Sequence, residues 1–307
     1  MSVIGIDTSN YTTSIAFFDG EVGENCSRLL PVRQGELGLR QSDAVFAHIK
    51  SLPELSDRLF SHIQKDAITA VGVSTRPRAV EGSYMPCFMV GYSHAKLLSD
   101  ALGVPLAEVS HQQGHVAASL WSAGRMDLLE KTHLAWHLSG GTTELLLVEP
   151  EGRNVKCTRI GGTTDISAGQ LIDRTGQLLE LPFPSGKHLD SLSREATGKD
   201  VFRVKCRNSE FSLSGVQNKV QQFHAASADP AETAAYALRC VAGAVYQATA
   251  QALEAYPGLS VVFSGGVASN SMLRELTATL HPVFAQPQFS TDNAMGVAVL
   301  TALQEGL

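Results

Sequence analysis

The 307-residue chain has only five cysteines, and no two of them form a Cys-x-x-Cys pair. Cys26, Cys87, Cys157, Cys206 and Cys240 are scattered and odd in number, which suits a reducing compartment and argues against a disulfide frame or a thiolate zinc site. No apolar run approaches the roughly 18 residues that a membrane-spanning helix needs. The opening residues MSVIGIDTSN lack the basic flank and long apolar stretch of a secretory signal, so a cytoplasmic protein without a membrane partner is expected. Tracts rich in Gly/Ser, Gln/Asn or Pro are also missing. With 44% of residues hydrophobic and 18% charged, disorder is not expected over most of the length. A basic excess is missing too: the formal net charge is −6, so a nucleic-acid partner would have to meet a local basic patch or a second subunit.

What is present alternates. VIGIDTS and TTSIAFFDG read as two strands around a tight turn at Asn10, and AITAVGVST (68–75) reads as a buried strand. Helical patterns cover 41–64, interrupted near Pro53, and 88–103, stopped by Gly103; a strand at 104–110 follows. Residues 132–152 read as strand, glycine turn, strand. Residues 167–181, 215–227 and 231–255 read as helices, and 259–270 as strand, glycine loop and helix start. A closing helix spans 290–304. Strands alternating with helices predict α/β layers.

Two stretches echo each other. GIDTSNYTTSIAFFDG and HLSGGTTELLLVEPEG share the order strand, turn, Thr-Thr, apolar strand, acid, glycine, which reads as a duplicated α/β lobe or as two ordinary hairpins. HLSGGTTE and FSGGVASN each place Ser-Gly-Gly after an apolar strand. Such turns let a ligand approach the backbone without a Cβ in the way, although most Gly-Gly pairs are simply turns. A clamp on a phosphate-bearing ligand, with one glycine hairpin per lobe, is the expectation.

SHQQGHVAA (110–118) carries His111 and His115 four residues apart, on one helix face, with Ser110 as a plausible N-cap. Two imidazoles so placed either share an ion or are ordinary helix side chains, and the segment itself supplies only two ligands. Gly114 between them weakens a helix by about 1 kcal/mol relative to Ala, which suggests that something packs close to the backbone there.

Taken together, GIDTS, SHQQGH, LSGGTTEL, DISAGQLIDRTGQLL, PSGKHLDSLS, FSLSG, SGGVASN and STDNAMG resemble, in order and spacing, the TsaD-type tRNA threonylcarbamoyladenosine synthase family, whose older name is O-sialoglycoprotein endopeptidase. The resemblance runs from about residue 3 to residue 300. It implies a two-lobed actin-like, sugar-kinase-like (ribonuclease H-like) α/β fold with duplicated lobes: 1–112 with 290–307, and 113–289 with helical insertions. It also implies one divalent metal ion, iron or zinc, on His111, His115 and Asp292, with His137 as a fourth ligand or a plain strand histidine. Contacts to threonylcarbamoyl-adenylate, or to ATP or AMP, fall on Leu138, Ser139, Gly140, Gly141, Asp173, Gly186, Asp190, Gly265, Gly266 and Asn270. Gly140 and Gly141 offer amides to phosphate, Asp173 and Asp190 accept from ribose hydroxyls, and Asn270 both donates and accepts. Asp173 paired with Arg174, and Asp190 as a surface charge, are the plainer alternatives. Asp7 either steers the donor, accepts a proton or caps a turn.

The implied activity is an acyl transfer: threonylcarbamoyl moves from its adenylate to the exocyclic amine of a tRNA adenosine beside the anticodon. Partner subunits of the threonylcarbamoylation system would assist. Departures from the family pattern keep alternatives in view. Ser110 replaces a histidine, Thr142 fills the polar slot after Ser-Gly-Gly, and Asn10 and Tyr11 replace two acids. Arg76-Pro77-Arg78 stands where the family has Gly-Pro-Gly, and Gln217 replaces a cation. A carbamoyl- or acyl-adenylate-dependent transferase with another acceptor is one alternative; a catalytically silent nucleotide-binding scaffold is another. No nucleophile–base pair supports a protease. For tRNA, the best basic stretch is Arg194, Lys199, Arg203, Lys205 and Arg207 against Glu195 and Asp200: a phosphate footprint or an ordinary solvated loop.

Overall fold

The computed structural model describes residues 1–31 and 39–307. Strands β1 Ser2–Thr8, β2 Thr12–Phe18 and β3 Gly23–Leu29 lead to helix α1 Gln41–Phe60, then β4 Ile68–Arg76, α2 Phe88–Leu102, β5 Leu106–Ser110 and α3 His111–Ser122. Next come β6 His133–Leu138, β7 Thr143–Glu151, β8 Asn154–Thr163, α4 Ala168–Leu178, α5 Gly186–Ser193 and the short strands β9 Cys206–Arg207 and β10 Glu210–Phe211. The chain continues with α6 Ser214–Ser227, α7 Pro230–Ala255, β11 Val261–Ser264, α8 Ser271–Thr277, β12 Val283–Phe284 and α9 Met295–Glu305.

These elements form two compact units. The first holds Met1–Lys131, Glu149–Cys157 and Asp292–Leu307, and the second Thr132–Val148 and Thr158–Thr291. Sequence alone places the divisions at 112/113 and 289/290. In the structure α3 belongs to the first unit, because it packs along α9.

In the first unit the strand order is β3-β2-β1-β4-β5, with β1–β2 and β2–β3 antiparallel and β1–β4 and β4–β5 parallel. β1 is buried along its whole length, so it reads as a continuous apolar run and not as an alternation. Leu52, Leu55 and Leu59 of α1 and Val90 of α2 meet Ile4, Ile6, Val71 and Val73 on one face. The other face takes α9, which packs over Gly5 and Gly72. Pro53 does not interrupt α1. It is exposed within a continuous helix, where solvent can satisfy the carbonyl that loses its donor.

The second unit repeats the scheme. Its sheet runs β12-β11-β6-β7-β8-β10-β9, with β6–β7 antiparallel and β6–β11 and β11–β12 parallel. Its segment β8-β7-β6-β11-β12 has the order of the first unit's β3-β2-β1-β4-β5, so the repeat legible in the Thr-Thr hairpins is a repeat of topology. The core gathers Trp136, Phe211, Phe263 and the alanine-rich face of α7. α7 starts cleanly because Asp229 caps the Ala231 and Glu232 amides and Pro230 occupies its first turn. Among the described residues no helix is long and apolar enough to cross a membrane.

Candidate metal centre and glycine turns

Ser110 ends β5 and caps α3. Its hydroxyl accepts from the Gln113 amide, while the Gln113 side chain accepts from the Ser110 amide at 2.8 Å. This reciprocal cap puts His111 in the first helical position and His115 one turn on. Their rings lie edge to face with centroids 4.4 Å apart and Nε2 atoms 3.0 Å apart. Asp292, just ahead of α9, brings Oδ1 to 3.1 Å from His115 Nε2 and 3.6 Å from His111 Nε2. Among the described residues these three form the group able to hold a metal ion.

The donor set fits one. Two ligand atoms of a single tetrahedral ion lie about 3.3 Å apart, given metal–nitrogen distances of about 2.0–2.1 Å. Two imidazoles and a carboxylate suit zinc or iron and leave coordination positions open, as catalytic sites do. Asp7, wholly buried at the end of β1, fixes the orientation. Its Oδ1 accepts from His111 Nδ1 at 3.0 Å and also from the Ser74 hydroxyl of β4. With the proton on Nδ1, the His111 Nε2 lone pair points toward the trio. The Ser9 hydroxyl donates to Asp292 Oδ2 at 3.4 Å.

The electrostatics agree. Burial alone would pull the His111 pKa down, but Asp7 and Asp292 outweigh it and push the ring up to about 10. Burial also opposes ionisation of Asp7 and Asp292, yet their histidine partners hold Asp7 below the usual carboxylate range and Asp292 well below it. Two anionic carboxylates around two imidazoles leave a negative balance that a cation would offset. Loading one displaces a proton from the ring.

Asp7 is the residue whose role the sequence left open: it neither caps a turn nor stands exposed. The available signal was a carboxylate inside the buried run VIGIDTS, since a wholly buried acid needs a partner.

In the second unit, the turn after β6 is closed by the Ser139 amide on the Thr142 carbonyl at 2.8 Å and the Thr142 amide on the Ser139 hydroxyl at 3.1 Å. α4 anchors it: Ser167 donates to the Gly140 carbonyl at 2.6 Å, and Thr143 accepts from the Ala168 amide. The second Ser-Gly-Gly lies alongside, since Ser264 of β11 pairs with His137 of β6. Gly265 has φ +90°, and a Cβ there would stand 2.1 Å from the Leu138 carbonyl oxygen, so no other residue fits. Gly266 opens a single 3-10 turn that ends at Asn270. His137 is half-buried opposite Glu144 and is not a member of the trio.

The carboxylates expected at the nucleotide are joined to their neighbours. Asp190 Oδ1 accepts from Asn270 Nδ2 at 2.8 Å and from the Ser271 amide and hydroxyl, and Oδ2 meets Arg194 at 3.1 Å. Asn270 also caps α8 by accepting from the Leu273 amide. Asp173 does not pair with Arg174. It accepts from the Ser185 amide, beside Gly186 at the start of α5, and burial pushes its carboxyl up. Arg174 of α4 instead donates to Gln217 of α6 at 2.6 Å, so the position that departs from the family pattern is tied to α4.

Comparison with solved structures defines the class. Component A of the Acidaminococcus fermentans (R)-2-hydroxyglutaryl-CoA dehydratase aligns over 100% of both chains at TM-score 0.58 and 15% identity. A ROK hexokinase from Thermus thermophilus aligns over 100% of this chain and 99% of its own at 0.51 and 16%. The fold is therefore the actin-like one that these two structures share. Within that class, residues 36–299 match the TsaD family, described as tRNA N6-adenosine threonylcarbamoyltransferase, and the chain belongs to it. A curated relative of that name from Carboxydothermus hydrogenoformans is 30% identical over 96% of this chain and 90% of its own.

Proposed function

We propose that this transferase moves a threonylcarbamoyl group from threonylcarbamoyl-adenylate to the N6 amine of a tRNA adenosine beside the anticodon. The observation that carries this reading is the convergence of His111 Nε2, His115 Nε2 and Asp292 Oδ1, with Asp7 orienting His111 from behind. An iron or zinc ion held by these three would supply Lewis-acid polarisation of the carbonyl under attack. His137 as a fourth ligand rests on the resemblance alone.

In the second unit, the amides of Gly140 and Gly141, two exposed residues, are the proposed phosphate donors. Asp173 and Asp190, steadied by Ser185 and Asn270, are the proposed ribose acceptors. The adenosine amine attacks the carbamoyl carbon, the bond to the phosphate oxygen breaks, AMP leaves and the amine's proton passes to solvent; the amine needs position more than activation. Partner proteins would make the adenylate.

A second reading, transfer to a different acceptor, is favoured by the Arg76-Pro77-Arg78 loop. Arg76 is exposed at the end of β4, and the Pro77 carbonyl accepts from the Gln112 amide at 3.0 Å, next to His111. The exposed Arg76 guanidinium would select there for carboxylate or phosphate on whatever arrives.

The test is to supply the chain to a strain lacking its own threonylcarbamoyl synthase and to measure N6-threonylcarbamoyladenosine in digested tRNA by mass spectrometry. The modified nucleoside should appear with the intact chain and not with His111→Ala. Its absence with an intact, metal-loaded chain rejects tRNA as acceptor. Recovery with the double variant Arg76→Gly and Arg78→Gly would then assign the difference to that loop.

A further inference from the structure

We propose that the segment running through Arg203, Lys205 and Arg207 is a track for the sugar-phosphate backbone of RNA. The inference deepens the proposed reading, in which tRNA is the acceptor, by naming the surface that holds it.

The chain as a whole is acidic, yet five cations fall within residues 194–207. Their arrangement is ordered. Arg203, Lys205 and Arg207 are exposed, whereas Val204 is 4% exposed and Cys206 is half-buried, so the three cations leave the same side of the chain. An extended chain advances about 6.6–6.8 Å in two residues, comparable to the spacing of successive phosphates along a strand. Arg207 belongs to β9, the last strand of its sheet, and Arg203 and Lys205 lie in the irregular segment that leads into it.

Local acids do not consume these charges. Neighbouring Arg194 meets Asp190, Arg159 meets Glu210, and Arg239 donates to the Asp200 carbonyl. Arg203, Lys205 and Arg207 form no ion pair among the described residues, nor does Lys199.

Aromatic side chains lie at both ends, one exposed and the other half-buried against the core. Phe202, 38% exposed, precedes the first cation and has Lys219 Nζ 5.9 Å from its ring centroid. Beyond Arg207 a cavity of about 700 Å³ opens, lined by Asn208, Gln251, Glu254 and the half-buried Tyr256. Regular cations flanked by an exposed ring and a mixed polar and apolar cavity with a half-buried second ring match how single-stranded segments are held: phosphates by charge, bases by stacking. An acidic protein surface has no need of the rings, and RNA is the better fit.

The experiment uses the full chain and an unmodified tRNA transcript, with neither donor nor metal, and follows binding by fluorescence anisotropy between about 50 and 200 mM salt. R203Q/K205Q/R207Q should weaken binding roughly tenfold or more at the lowest salt and reduce the salt slope by about 2–3, one for each phosphate no longer neutralised. K50Q/R58Q/K65Q removes equal charge from exposed positions on or just beyond α1 and should leave both unchanged. R203K/R207K should keep the slope. Unfolding curves superimposable on wild type exclude misfolding. Equal losses in the two triple variants, an unaltered slope in the first, or no RNA binding by wild type would each overturn the proposal. So would displacement of the RNA by an acidic peptide at lower concentration than by competitor RNA. A chain that binds tRNA through this track yet forms no modified nucleoside in the strain test refutes tRNA as the acceptor and leaves the track standing.

Discussion

Gly296 presses on the backbone of Gly114 so closely that a Cβ at Gly296 would lie 1.7 Å from the Gly114 carbonyl oxygen. Gly114 sits between the two histidines of α3, and Gly296 stands at the start of α9, four residues after Asp292. This contact sets how near the carboxylate comes to the imidazoles. Gly296→Ala should drive the helices apart, lowering stability by about 1–3 kcal/mol and loosening the ion. Denaturant unfolding and metal retention on desalting should fall together. Loss of stability with full metal retention would separate the contact from the site.

Asp7 acts through His111, so the isosteric Asp7→Asn should leave the fold and weaken metal affinity by about 10–100-fold. Competition with a coloured chelator reads this directly. His115→Ala, which removes a ligand outright, should yield purified protein with little bound iron or zinc by elemental analysis. Unchanged metal content in both variants would remove the metal assignment.

Gly265→Ala places a methyl against the Leu138 carbonyl in a backbone region that L-residues avoid. The strain alone is about 1–3 kcal/mol, and the overlap adds to it. A lower midpoint in urea is expected, with weaker adenine nucleotide binding by calorimetry. Gly266→Ala, where a Cβ meets nothing within 4 Å, is the control for the loss of stability.

Asp165 joins the loop before α4 to the start of α6, accepting from the Ser212 and Ser214 hydroxyls and the Leu213 and Ser214 amides. Burial opposes its ionisation, but these donors outweigh it and hold the carboxyl below its ordinary 3.8. A depressed folded-state pKa stabilises above the unfolded value, and that contribution is lost as pH falls through the folded one. Wild type should therefore lose stability on acidification below about pH 4. Asp165→Asn should be less stable at neutral pH and show a shallower acid limb in thermal melts.

Much of this was legible in the sequence where local chemistry decides structure. Ser110 and Gln113 spell a helix start, Gly103 ends α2 with φ 66°, and the buried runs of β1 and β4 stand out. β3 was not legible, because GENCSRL lies at the sheet edge with a single buried residue and no apolar alternation to read. β8 and the eight-residue α5 escaped for the same reason: exposed and half-buried positions dominate them. At the site, the two histidines stand four residues apart on one helix, a spacing visible in the sequence that leaves their role open. Asp292 is 177 residues beyond His115 and reaches it only through the packing of α9, which no local pattern encodes.

The first unit is split in the sequence: its opening strands and its closing helix are separated by nearly all of the second. During synthesis the ribosome therefore delivers both imidazoles long before the carboxylate that joins them. A nascent chain that ends before Asp292 carries only two of the three ligands.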